Sequence, residues 1–122
     1  MGKSKIRVLI VSIPGIIQRM LAKNISAIPD VVLLPIASGG LSAYSALKDH
    51  QLDIVVIDSS IPETEAVELL NVMEDDYPDV NYLVVRDTSR EVREMSGSGT
   101  HRAIRPHELD HHLDNLLDKL RV

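Results

Sequence analysis

The chain contains no cysteine, tryptophan or phenylalanine, and its aromatics are three tyrosines, Tyr44, Tyr77 and Tyr82. Without cysteine there is no disulfide framework, no thiolate metal site and no cysteine nucleophile. Three tyrosines supply no stacking platform for nucleic-acid bases. An excess of positive charge is also missing: the formal net charge is −5. That argues against direct nucleic-acid binding through these residues. No apolar run is long enough to span a bilayer. The run that follows Lys3, Lys5 and Arg7 stops at Ser12 and Pro14, so no signal-peptide core develops. A cytoplasmic location with no membrane contact is the expectation.

What is present is globular. The 122 residues are 44% hydrophobic and 25% charged, which suits a single domain over 1–122. Ile6–Val11 reads as a first strand. Ser12, Pro14 and Gly15 break it, and Ser12 is placed to cap the helix that follows. Ile16, Ile17, Met20, Leu21 and Ile25 form that helix's apolar stripe. Val31–Ile36 reads as a second strand. Its Pro35 cannot donate a ladder hydrogen bond, so this strand belongs at a sheet edge. Leu41, Tyr44 and Leu47 mark a second helix ending near His50.

The centre of the pattern is Asp53-Ile54-Val55-Val56-Ile57-Asp58-Ser59-Ser60-Ile61-Pro62. A continuous β-branched run with no polar face suits a strand covered on both sides. Ligands of open α/β sheets bind at the carboxyl ends of the strands, so Asp58 is the leading candidate for chemistry. A third helix opens at Pro62 and Thr64 and buries Ala66, Val67, Leu69, Leu70 and Met73. Tyr82–Val85 is a fourth strand ending on Arg86. Ser89–Met95 has room for about two helical turns, and Ser96-Gly97-Ser98-Gly99 is a break. A short fifth strand falls within Thr100–Ile104. Pro106 then starts a last helix with Leu109, Leu113, Leu116, Leu117 and Leu120 on one side. Strand–helix alternation with short connections implies an α/β fold: a flavodoxin-like, three-layer (βα)5 unit. Its five-stranded parallel sheet has the order 2-1-3-4-5, and its fourth helix is shortened.

Several stretches together resemble response-regulator receiver domains of two-component signalling, closest to those of LuxR-type regulators. Ala27-Ile28-Pro29-Asp30-Val31 resembles the joint before the second strand. Leu52–Pro62 resembles the phosphoacceptor strand and loop, and Tyr77-Pro78-Asp79-Val80 the joint before the fourth strand. The resemblance implies that Asp58 holds the position of the aspartate that receives a phosphoryl group from a histidine kinase. In the family two acids after the first strand hold Mg²⁺ with it. A Thr or Ser ends the fourth strand, and a Lys ends the fifth.

Here Ser12 and Ile13 stand in place of the acids and Arg86 in place of the hydroxyl. Arg105, in Ile104-Arg105-Pro106, stands near the lysine position, with Arg102 as an alternative register. The family pocket gathers three carboxylates and a lysine, an excess of negative charge that recruits a hard cation. This one offers Asp58 against Arg86 and Arg105. The expectation is an atypical receiver with no metal or cofactor and no enzymatic activity, in which Mg²⁺-dependent phosphorylation of Asp58 is impaired or lost. Two arrangements are open for that pocket: Arg86 or Arg105 pairs with Asp58 and neutralises it permanently, or Arg86 points to solvent and Asp58 is an inherited remnant. Such a domain acts by contact with a protein partner, a histidine kinase or a second copy of itself, through its first and last helices.

Two alternatives stand beside it. One is a functional phosphoacceptor regulating a C-terminal DNA-binding output domain. The other is a flavodoxin-like cofactor-binding enzyme, which the lack of a phosphate-cradling glycine loop argues against. His107 and His111, spaced i, i+4, could share a metal, but with Asp110 and Asp114 around them a solvated face is expected.

Overall fold

The computed structural model describes residues 5–86 and 103–121. Its elements alternate as β1 (Ile6–Val11), α1 (Ile16–Ser26), β2 (Val31–Leu33), α2 (Gly40–Asp49), β3 (Ile54–Ile57), α3 (Glu63–Asp76) and β4 (Asn81–Val85). After these come β5 (Ala103–Ile104), a 3₁₀ turn at Pro106–Glu108, and α4 (Leu109–Leu120), the final helix. The strands form one five-stranded sheet in the order β2-β1-β3-β4-β5, and every pairing is parallel. This is the flavodoxin-like order expected from the sequence. The short helix expected over Ser89–Met95, the glycine-rich break after it and Arg102 lie outside the described residues.

The central strands need cover on both sides because every residue of Ile54–Ile57 is buried. Side chains alternate across a strand, and the core divides accordingly. Leu9, Val11, Val55 and Ile57 pack with Ala43 and Leu47 of α2 and Ala66, Leu70 and Met73 of α3. Ile6, Val8, Ile10, Ile54 and Val56 pack on the other face with Leu21 and Ile25 of α1 and Leu109, Leu113 and Leu117 of α4. Full burial of each such aliphatic contributes about 1.5–3 kcal/mol.

β2 is shorter than the sequence suggests. Its ladder to β1 ends at Leu33, two residues before Pro35. Beyond the proline the chain touches β1 again only at the isolated bridge from Val11 to Ala37. Leu34 N still donates to Val8 O at 3.0 Å and the next donor is Ala37 N, to Ile10 O at 2.9 Å, so the pairing slips by one residue across Pro35, whose own nitrogen faces the free edge. The turn into β2 uses Asp30 at φ 67°, a left-handed conformation that a short polar side chain tolerates. Its carbonyl accepts from Ile6 N at 2.7 Å, which sets where β1 begins.

On the face covered by α2 and α3, a side chain of α3 fastens the start of α2. The Glu65 carboxylate accepts from Gly40 N at the start of α2. A Cβ on Gly39 would lie 2.9 Å from Glu65 Oε1, closer than real contacts allow. Glycine at 39 is therefore a matter of space.

The first helix departs from its expected burial. Leu21 and Ile25 are buried, but Ile16, Ile17 and Met20 are 68, 47 and 58% exposed. Two apolar faces of α1 exist, and the sheet covers one.

Candidate functional site

The carboxyl ends of β1, β3 and β4 deliver Ser12, Asp58 and Arg86 to one edge of the sheet. Each of these residues directly follows its strand. Ladder register holds them there: Asp58 N donates to Val11 O at 3.2 Å, and Ser12 N to Ala37 O at 2.9 Å. All three are polar and buried, at 0, 1 and 4% exposure respectively. Buried polar groups at a ligand-binding edge need partners, and the partners define the site.

Asp58 is held by hydroxyls. Ser12 Oγ donates to Asp58 Oδ2. Ser60 Oγ and Ser60 N both donate to Asp58 Oδ1, the latter at 2.9 Å. Ser60 Oγ in turn accepts from Ile13 N at 2.9 Å. The loops after β1 and β3 are thus knitted through one carboxylate and two serines. Gln18 Nε2, from the first turns of α1, adds a bond to Ser12 O at 2.8 Å.

Ser12 does not cap α1. The residue at that cap is Gly15, with no side-chain hydrogen bond, and the Ser12 hydroxyl is committed to Asp58. Ile13 contributes its backbone N–H, while its side chain is 46% exposed.

The expected pairing of an arginine with Asp58 is corrected by the geometry. Among the described residues no ion pair joins Asp58 to Arg86 or Arg105; both carboxylate oxygens instead take serine donors. Arg86 turns to the loop after β3, where Nη1 donates to Ile61 O at 2.9 Å. Its Nε and Nη2 are buried without a hydrogen-bond partner. Arg105 is half-buried at the end of β5, and its backbone N donates to Glu108 Oε1 at 2.9 Å across the 3₁₀ turn. The physical reason is reach. Two short hydroxyl side chains on the flanking loops contact Asp58 directly, and they satisfy its oxygens before a long guanidinium is needed.

Ser60 is the residue that sequence reasoning missed. The signal that could have found it is its place two residues after Asp58, the spacing at which an aspartate accepts from the chain ahead of it. The two histidines make a solvated surface: His107, in the 3₁₀ turn and not on the last helix, and His111 of α4 are exposed, and Asn115 Nδ2 lies 3.4 Å from His111 Nε2. Among the described residues no group of three His, Asp, Glu or Cys comes together to hold a metal. None of their helices is long and apolar enough to cross a membrane.

A cleft of about 230 Å³ opens beside the site. Ile17, Met20 and Leu21 of α1 form one wall and Pro106 and Leu109 the other, with Asp58 and Ser59 at its end. The cleft connects the exposed apolar residues of α1 with the loop that carries Asp58.

The chain matches no protein-family model and no curated protein. Solved structures do match. The signal receiver domain of an HD domain-containing protein from Pseudomonas fluorescens superposes with a TM-score of 0.72 at 19% identity, over 95% of this chain and 94% of that one. A Francisella response-regulator receiver domain gives a TM-score of 0.73 at 16% identity, over 94% and 98%. The response regulator RcsB, in complex with DNA, gives 0.78 at 12% identity, over 97% of this chain and 63% of RcsB. The chain therefore has the fold of receiver domains, and it spans less than two thirds of the RcsB chain.

Proposed function

We propose that the chain is an atypical receiver domain of phosphorelay signalling that works mainly through protein contact, with Mg²⁺-dependent phosphorylation of Asp58 impaired or lost. The observation that carries this reading is the donor set around Asp58. A hard divalent cation wants several oxygen ligands with negative charge among them. The residues beside Asp58 are two serines, both donating to it, and an isoleucine. That set does not fit Mg²⁺. Phosphoryl transfer relies on positioning and charge stabilisation, with the metal bridging oxygens. A site lacking those ligands transfers slowly.

The contact half of the reading rests on α1. Ile16, Ile17 and Met20 of α1 and Ile13 in the loop before it are exposed apolar side chains, and Ile17 and Met20 line the cleft at Asp58. Exposed apolar surface of this kind on a small domain marks an interaction site. The proposed partner is a signalling protein or a second copy of the chain, in a cytoplasmic setting, with no nucleic acid held by this domain itself.

Intact mass after acetyl phosphate treatment, with and without Mg²⁺, tests the phosphorylation half. The expected result is little or no gain of a phosphoryl group and no difference between the two conditions. A rapid, Mg²⁺-dependent gain on Asp58 overturns it in favour of an ordinary phosphoacceptor. Light scattering across a concentration series tests the contact half in the form of a homodimer. Ile16→Asp with Met20→Asp is expected to abolish any self-association and to leave the fold intact, since both positions are solvated in the single chain.

A further inference from the structure

Two surfaces of the molecule expose apolar side chains and differ in the sign of the charge beside them. A groove of about 570 Å³ runs between α2 and α3, with Leu41 and Tyr44 on one side and Glu65, Glu68, Leu69 and Val72 on the other. Leu41 and Tyr44 are exposed. α3 carries six acids, Glu63, Glu65, Glu68, Glu74, Asp75 and Asp76, and no base. Lys48, the cation of α2, lies 5.5 Å over the Tyr44 ring and does not line the groove. α1 has the opposite sign: it carries Arg19 and Lys23 and no acid. Ile16, Arg19, Met20 and Lys23 follow one another at helical spacing, so they share one face, and all four are exposed. Among the described residues neither Arg19 nor Lys23 has an acidic partner.

We infer that the α2–α3 groove of one copy receives the α1 face of a second copy, in a head-to-tail contact between unlike surfaces. The inference rests on the reading of a domain that works through protein contact, and it commits that contact to one occupant. Charge decides between the pairings open to two copies. α1 against α1 brings Arg19 and Lys23 up to their own duplicates. Groove against groove sets the acids of one α3 against those of another. The unlike pairing places cations beside acids instead. It also covers apolar side chains on both partners: Ile16 and Met20 from α1, Leu41 and Tyr44 at the groove. Met20 is suited to anchor it, since a flexible thioether fills an irregular gap. α1 and the α2–α3 pair lie on opposite faces of the sheet. A copy can therefore hold one neighbour by its groove and another by its α1. Such a contact is heterologous, so it propagates past the dimer unless the rotation closes a ring.

Sedimentation velocity from micromolar to millimolar chain, at low and at high salt, is the test. The expected result is a weight-average mass that rises past that of a dimer at low salt. At high salt, where the charges are screened, it falls back toward the monomer. Two blocked chains then separate the surfaces. Ile16→Asp with Met20→Asp spoils α1 and keeps the groove. Leu41→Lys with Glu68→Lys spoils the groove and keeps α1. All four positions are exposed, so the fold is expected to hold. Arg19→Glu with Lys23→Glu is a second way to spoil α1, and Glu68→Arg alone a second way to spoil the groove. Each blocked chain by itself is expected to stay monomeric. Mixed, the two form a one-to-one complex that grows no further, because one intact groove meets one intact α1. A groove-blocked chain that still dimerises like wild type reveals a symmetric α1 contact and overturns the inference. So does a mixture that stays monomeric. A wild-type chain that is monomeric throughout overturns it too, and leaves standing the broader reading, in which α1 meets a different protein.

Discussion

Asp53 and Asp58 bracket β3, one ahead of Ile54 and the other after Ile57, and the two carboxylates are held by different kinds of donor. At the amino-terminal end Asp53 Oδ2 accepts from Arg7 N at 2.8 Å. The backbone of the same residue joins both neighbouring strands: Asp53 N donates to Arg7 O at 2.9 Å and Asp53 O accepts from Asn81 N at 3.0 Å. A backbone donor has no freedom to turn, so this end is a fixed joint of the sheet. At the carboxyl end Asp58 is held by two hydroxyls and one backbone N–H. Hydroxyls rotate and can accept as well as donate. The same strand is thus pinned at one end and adjustable at the other, and the adjustable end is where ligands of this sheet type bind.

The sharpest way to break this contrast is to compare Asp53→Ala with Asp58→Asn. Asp53→Ala leaves the Arg7 N–H without its acceptor and is expected to cost about 1–3 kcal/mol. Asp58→Asn keeps one carbonyl oxygen for Ser60, and its amide can donate to Ser12, whose hydroxyl turns to accept. Its expected cost is about 1 kcal/mol or less. Urea midpoints decide, and the reverse order would remove the distinction between the two ends.

A smaller effect than that of Asp53→Ala is expected from the serines. Ser12→Ala and Ser60→Ala each remove one hydroxyl from Asp58, at about 1 kcal/mol apiece. Because both act on one carboxylate, the double variant should depart from the sum of the singles. Strict additivity in the same urea measurements would mean that the hydroxyls do not share Asp58 in solution.

The smallest effect belongs to Tyr82 on β4. Burial, followed by the charge of Glu74 and its hydrogen bond to the phenol at 3.3 Å, raises the Tyr82 pKa above the ordinary tyrosine value. The neutral phenol is favoured in the folded chain. Its contribution is therefore fully present below the unfolded value near pH 10 and is lost as pH rises through the folded one. Tyrosinate absorbance, read as wild type minus Tyr82→Phe, should titrate at lower pH in Glu74→Gln than with Glu74 in place.

Much of the scaffold was legible because it depends on period and on proline. The run Ile54–Ile57 has no polar face, so it had to be a doubly covered strand, and Asp58 had to follow its end. Pro35 placed β2 at an edge for want of one N–H. The site was less legible, for reasons of direction and reach. A helical stripe tells which residues share a face, but not how wide a face the sheet covers. Ile16, Ile17 and Met20 were grouped with Leu21 and Ile25 by spacing alone, and they stand in solvent. Charge suggested that Arg86 would seek Asp58. Two neutral hydroxyls came first, because their short side chains sit on the loops that pass directly beside it. The guanidinium was left to a carbonyl three residues further on.

Glu65 gives the opposite face of the molecule a mechanical asymmetry. Its carboxylate clasps the opening turn of α2 from α3, and the space above Gly39 is filled by that clasp. A methyl group at position 39 would have to push that carboxylate aside, and the bond to Gly40 N is what such a shift puts at stake. Leu41, two residues on and 87% exposed, has no such constraint. A side chain can therefore be exchanged at the outer surface of α2 without touching α3, while one added at position 39 meets Glu65 first.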